Sequence, residues 1–140
     1  MLIEEKKDLA SSWFRDLRDQ FCHEFEGIDN TTFQRKKWSH SGGGGGEISI
    51  MKGDIFEKVG VNISTVSGEF KEDYRSNISG TEQSPQYWAS GLSIVAHMKS
   101  PFVPAFHFIT RFIVTGESGF GGGADMTPTY ICLLYTSPSP

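Results

Sequence analysis

An α+β fold, an antiparallel β-sheet flanked by helices, is predicted by three observations. Residues 2–26 repeat apolar side chains at helical spacing. Residues 47–52 and 55–66 alternate apolar and polar side chains around a turn signal. Two further alternating runs flank a proline-bearing connector between Gly91 and Arg111. Consecutive strands with short connectors favour antiparallel pairing.

The 140 residues fit one ordinary domain. Hydrophobic residues are a modest 37%, but aromatics reach 13% with eleven Phe, enough large side chains for a core. A net charge of −4 argues against a nucleic-acid surface, which carries a basic patch. Cys22 and Cys132 are too few for a disulfide framework. No charged-then-apolar leader opens the chain and no run is long enough to span a bilayer, so no integral membrane segment and a cytoplasmic setting are expected. The glycosylation-like patterns at Asn30, Asn62 and Asn77 then read as chance.

In the first element Leu9, Trp13, Leu17 and Phe21 recur every four residues, and Phe14 and Phe25 widen the stripe. Acids and bases mix on the other face, which favours a helix packed on a core over one lying on a membrane. Gly27 is the expected stop. Asp29–Thr32 reads as a turn, and Phe33–His40 is basic and aromatic. Five glycines follow, Gly42–Gly46. No Gly-Lys-Ser/Thr comes after them and the next segment is strand-like, so this is no phosphate loop. Glu47–Lys52 and Ile55–Val66 form a hairpin around Gly53-Asp54. Ser67–Tyr87 is polar and reads as a surface loop with a helical turn.

Gly91–Arg111 carries the chemistry. Side chains alternate faces along a strand. Ser93, Val95 and His97 therefore share one face, opposite Leu92, Ile94, Ala96 and Met98. In the second run His107, Ile109 and Arg111 oppose Phe106, Phe108 and Phe112. If the runs pair, Ser93, His97, His107 and Arg111 gather on one surface. Gly116–Gly119 turns the chain. The last ten residues, 131–140, change composition abruptly and read as an atypical, artefactual tail. One helix and about four strands fall short of a complete two-layer domain, so residues 1–130 are expected to be the N-terminal part of a single domain.

Several segments together resemble one family. They are Trp38 with the glycine run, Phe56-Glu-Lys-Val-Gly-Val-Asn-Ile-Ser64, the Gly91–His97 strand, Pro101–Arg111, and Phe120-Gly-Gly-Gly-Ala-Asp-Met-Thr-Pro-Thr-Tyr130. In this order and spacing they resemble oxygen-dependent coproporphyrinogen III oxidase, closest in style to bacterial members. The resemblance implies an α+β fold with a large antiparallel sheet, and conversion of two propionates of coproporphyrinogen III to vinyl groups, giving protoporphyrinogen IX in haem biosynthesis. It implies coproporphyrinogen III and molecular oxygen as partners, a homodimer, and no required cofactor beyond oxygen. Family proteins are about twice as long, so the chain alone is expected to be inactive.

The resemblance places the proton donor at His107 and substrate contacts at Ser93, Ile109, Thr110 and Arg111; Asp125, in the Phe120–Tyr130 segment, is a further candidate, its carboxylate suited to accept pyrrole N–H bonds. These residue types suit the task. Arginine holds a carboxylate bidentately, and an imidazole moves protons near neutral pH. From the residues alone, each has an ordinary alternative: an ion pair for Arg111, a core histidine for His107, an Asx turn for Asp125. His97 and His107 fall on positions assigned to a divalent metal in bacterial relatives, where two later histidines complete the set. Ile109 stands where the family usually has Asn, Gly119 where it has Trp, and His40 near a common Arg. Two rival readings remain: a non-catalytic module binding a tetrapyrrole or other anion, and a metal-assisted oxidase using His97 and His107.

Overall fold

The computed structural model describes residues 1–82 and 84–130. The expected tail at 131–140, with Cys132, lies outside the described residues. Helix α1 (Ile3–Asp29) is followed by β1 (Gln34–Ser39), β2 (Gly44–Met51), β3 (Phe56–Glu69), a one-turn helix α2 (Glu72–Arg75), β4 (Gln86–Met98), β5 (Ala105–Val114) and β6 (Ser118–Thr127). The strands form a single six-stranded sheet in sequence order, every neighbour antiparallel.

The predicted hairpin and the two later strands are present. Two strands go beyond the expectation. β1 is the basic segment Gln-Arg-Lys-Lys-Trp-Ser, and β6 absorbs the Phe120-Gly-Gly-Gly segment. The glycine run also contributes, since Gly44–Gly46 open β2. Both unexpected strands lie at sheet edges and are mostly exposed, so neither needs an apolar alternation. Lysines on an edge also discourage pairing with another chain.

The helix runs past Gly27, whose missing side chain faces open space. It ends instead at Asn30, in the left-handed conformation at φ 53°. Asparagine tolerates that conformation better than most residues. The last helical residue is put to use. The Asp29 carboxylate accepts hydrogen bonds from the N–H groups of Asp54, Ile55 and Phe56 at 2.9–3.2 Å, tying the helix end to the turn between β2 and β3. Gly53 makes room, because a Cβ there would collide with that carboxylate.

α1 packs mainly across β3 and β4. The buried line is Ala10, Phe14, Arg18 and Cys22, one position over from the predicted stripe. Leu9 and Trp13 are 59% and 52% exposed, while Leu17, Phe21 and Phe25 line the buried flank. Small Ala10 and Cys22 let the helix sit close to the sheet, and Phe14 fills the space between. Beneath lie Met51, Val59, Val61, Leu92, Ile94, Ala96 and Phe112. Arg18 enters this layer through charge pairing. Its guanidinium meets Glu47 at 2.9 Å and Asp19 at 2.6 Å, and Arg35 shares Asp19 at 3.2 Å. Burial pushes the neighbouring Cys22 thiol up in pKa, against the opposing pull of Arg35 and Arg18. On the same side, beyond the helix, Phe120 and Met126 of β6 remain 70% and 55% exposed.

Candidate functional site on the open sheet face

Among the described residues, no helix packs over the centre of the face away from α1. Pairing register decides which side chains stand together there. Ser93 lies opposite Ile109, Val95 opposite His107 and Gly91 opposite Arg111. On the other side of β5, His107 faces Asp125, Ile109 faces Gly123 and Arg111 faces Gly121. Partners across a sheet share a face, so Ser93, His97, His107, Ile109, Arg111 and Asp125 all lie on the open side. Thr110 does not. It pairs with Leu92, whose side chain is buried under the helix, so its hydroxyl belongs to the opposite face.

Three of these residues touch. His97 Nε2 and His107 Nε2 are 3.2 Å apart, and His107 Nδ1 is 2.9 Å from Asp125 Oδ1. Thr127 Oγ1 donates to the same carboxylate oxygen at 2.9 Å. The hydrogen bonds from His107 and Thr127 hold the Asp125 carboxyl below its usual pKa. An ionised carboxylate only accepts, so His107 must present Nδ1–H to it. That leaves Nε2, on the His97 side, as the atom whose proton can come and go. A carboxylate behind an imidazole fixes its orientation and tautomer in the same way in many proton-transfer sites.

Arg111 stands apart from this chain. Among the described residues it forms no ion pair. It lines a cleft of about 460 Å³ between the Phe70–Ser79 segment and the β5–β6 hairpin. Thr115 Oγ1 donates to Ser79 O at 2.7 Å and closes one end. Val95 and Ile109 stand between the polar groups, and beside Arg111 the backbone is bare at Gly91. A Cβ at Gly91 would lie 2.7 Å from Thr110 O and 3.0 Å from Arg111 Cβ, so only glycine fits without a shift.

The sequence reading missed a polar pair on this face. Trp38 Nε1 donates to Asn62 Oδ1 at 2.9 Å, and Asn62 lies directly opposite Ser93. Extending the odd–even alternation from Ser93 through the β3–β4 register would have found it, but the register itself is not written in either strand.

His97 and His107 offer two nitrogens to a metal, and His107 Nδ1 is already committed to Asp125. Protein metal sites generally use three or four ligands. Among the described residues no group of three or more His, Cys, Asp or Glu is placed to hold one. The described donor set is therefore short of a metal centre.

Fold and face together define an α+β protein with an open, glycine-rich sheet face that carries a histidine–carboxylate chain and a separate guanidinium. A family profile described as coproporphyrinogen III oxidase matches residues 10–133. The chain belongs to the coproporphyrinogen III oxidase family. It is 53% identical over 136 residues to the oxygen-dependent coproporphyrinogen-III oxidase of Rickettsia felis, with 90% of this chain and 49% of that protein covered. The proteins of the same name from Rickettsia akari and Rickettsia typhi are 52% and 50% identical over the same coverage. The chain spans about half the length of these curated relatives. No described helix is long and apolar enough to cross a membrane.

Proposed function

We propose that this chain supplies the open sheet face of an oxygen-dependent coproporphyrinogen III oxidase, and that this face holds the substrate while His107 moves a proton. The observation that carries the reading is the His97–His107–Asp125 chain on the same surface as Arg111, which has no ion pair among the described residues. The substrate is a flexible macrocycle with carboxylate arms. The glycine-rich face gives it a surface to lie on, and Ser93, Arg111 and the β6 backbone give its arms donors.

His107 and Arg111 are four residues apart on one strand, roughly 14 Å at 3.4 Å per residue. Arg111 therefore anchors one propionate while a different one reaches His107. Converting a propionate to a vinyl group removes carbon dioxide and two electrons. With oxygen as acceptor the balance is propionate, O₂ and one proton giving vinyl, carbon dioxide and hydrogen peroxide. Each propionate converted takes up one proton, and His107 Nε2–H is the group placed to deliver it. Asp125 keeps Nδ1 protonated throughout, so the proton lost and regained is the one on Nε2. His97, 3.2 Å away, is placed to reload it.

Coproporphyrinogen III and oxygen as partners, the homodimer and the cytoplasmic setting belong to this proposal, supported by family membership. The test is oxygen-dependent formation of protoporphyrinogen by the full-length enzyme carrying His107→Ala or Arg111→Met. His107→Ala should lower kcat by about 10²-fold or more. Arg111→Met should raise KM more than it lowers kcat. Full activity in both variants would sink the proposal. The 3.2 Å approach of His97 and His107 favours one second reading, a divalent metal between their Nε2 atoms. Stoichiometric metal in the purified full-length enzyme, lost on His97→Ala, would establish it.

A further inference from the structure

We propose that Asn62 is a substrate-binding residue, oriented by Trp38 so that its amide N–H groups are presented to the ligand, and that with Ser93 it forms a hydrogen-bonding site for a carboxylate arm. This inference rests on the open face being the substrate surface.

An asparagine amide is ambidextrous: its oxygen accepts and its nitrogen donates. Here the ambiguity is removed. The indole N–H can only donate, so the atom 2.9 Å from Trp38 Nε1 must be Oδ1. The Nδ2 amino group is thereby turned away from Trp38. Among the described residues it has no acceptor, and neither does the Ser93 hydroxyl opposite have a partner. Both residues are half-buried near the middle of the sheet, and neither unused group is sealed off from a ligand.

Trp38 is itself held for this task. A Cβ at Gly46 would lie 2.6 Å from Trp38 Cζ2, so the indole lies against bare backbone at Gly46. That position, one strand over from Asn62, aims Nε1 at the amide. With Oδ1 turned to Trp38, Nδ2 is the end of the amide without a partner among the described residues, and as an N–H group it calls for an acceptor. The acceptors on this class of ligand are its carboxylates. Ser93 lies two residues and one strand from Arg111, roughly 8 Å by strand geometry, so the Asn62–Ser93 donors and the guanidinium border the same stretch of the face.

The experiment measures binding of coproporphyrin III and of its tetramethyl ester to the 140-residue chain, by porphyrin fluorescence. The ester keeps the macrocycle and loses the acidic oxygens. Asn62→Asp keeps the acceptor for Trp38 and replaces the donor with a negative oxygen. It should weaken the free acid at least about tenfold and the ester less than about twofold. Trp38→Phe frees the amide to flip and should weaken the free acid about threefold with the ester unchanged. A merely structural role would shift both ligands together. Arg111→Met separates the two levels of the argument. If Arg111→Met weakens the free acid and Asn62→Asp does not, the Asn62 inference falls and the face remains the binding surface. If neither variant matters, or the unmodified chain binds no porphyrin, the surface reading falls and takes this inference with it.

Discussion

The two faces of this one sheet solve opposite problems. Under α1 the strands present Val59, Val61, Leu92, Ile94 and Ala96, all at most 1% exposed, and the helix fills the gaps with Phe14. On the open face the same strands present Gly91, Ser93 and His97, with Asn62 and His107 beside them. The covered face excludes water by volume. The open face mixes bare glycine backbone and apolar side chains such as Val95 and Ile109 with a few polar groups spaced at strand intervals. Alternation lets one strand serve both, because odd and even residues never compete for the same surface. Stability should therefore respond to one parity and ligand binding to the other.

The sharpest test of that separation is Phe14→Ala. Phe14 is 2% exposed and plugs the helix against the sheet. Its truncation should cost about 3–5 kcal/mol in urea unfolding. A loss under about 1 kcal/mol would mean that the covered face is not a packed core. Arg18→Ala comes next. It strips the counter-charge from Glu47, whose side chain is only 19% exposed, although Arg35 remains 3.8 Å away. About 2–3 kcal/mol is expected, below the cost for a fully buried pair. An unchanged urea midpoint would show that the ion pair is replaceable by water.

On the open face the prediction reverses. Ile109 is 45% exposed between His107 and Arg111, an apolar side chain among polar ones. Ile109→Asn in the full-length enzyme should leave stability within about 0.5 kcal/mol and tighten substrate affinity or raise turnover roughly threefold to tenfold. No change in either kinetic constant would show that this position does not meet the substrate.

The smallest effect is a pH dependence, and it bears on both regions. Hydrogen bonds from Phe56, then Ile55 and Asp54, hold the Asp29 carboxyl below its usual pKa. A depressed native pKa contributes stability above the unfolded value, about 3.9, and that contribution is lost as the pH falls through the native value. Urea midpoints should therefore fall below about pH 4, and Asp29→Asn should flatten that decline. Asp125 is depressed in the same direction by His107 and Thr127. Asp125→Asn should disturb substrate turnover as well, which Asp29→Asn should not. Equal effects of the two variants on turnover would erase the distinction between the faces.

Long periodic segments were legible from the sequence: α1, the β2–β3 hairpin, β4 and β5. So was the polar parity of Ser93, His97, His107 and Arg111, since it needs only the two-residue repeat of a strand. β1 and β6 were not legible. Each is an edge strand held by hydrogen bonds to one neighbour, and backbone hydrogen bonds leave no mark in side-chain pattern. The helix phase was one residue off for a related reason. Leu9 and Trp13 fit an apolar stripe as well as Ala10 does, and only contact with the sheet selects the smaller residue. Thr110, grouped with its neighbours by resemblance, stands on the other face because alternation separates adjacent residues.

By itself the sequence determined the helix and the four central strands, which side of β4 and β5 is polar, and, through its motifs, the family; in β2 it is Ser49 that is buried, with Ile48 and Ile50 on the open side. Tertiary structure decided the register. Register is a property of two strands together, and a shift of one residue would send every side chain to the other face. It brought His107 against Asp125, eighteen positions later, and set Asn62 beside Ser93 and under Trp38. The chemistry of the open face lies in those non-local pairs, and no single stretch of the chain contains one.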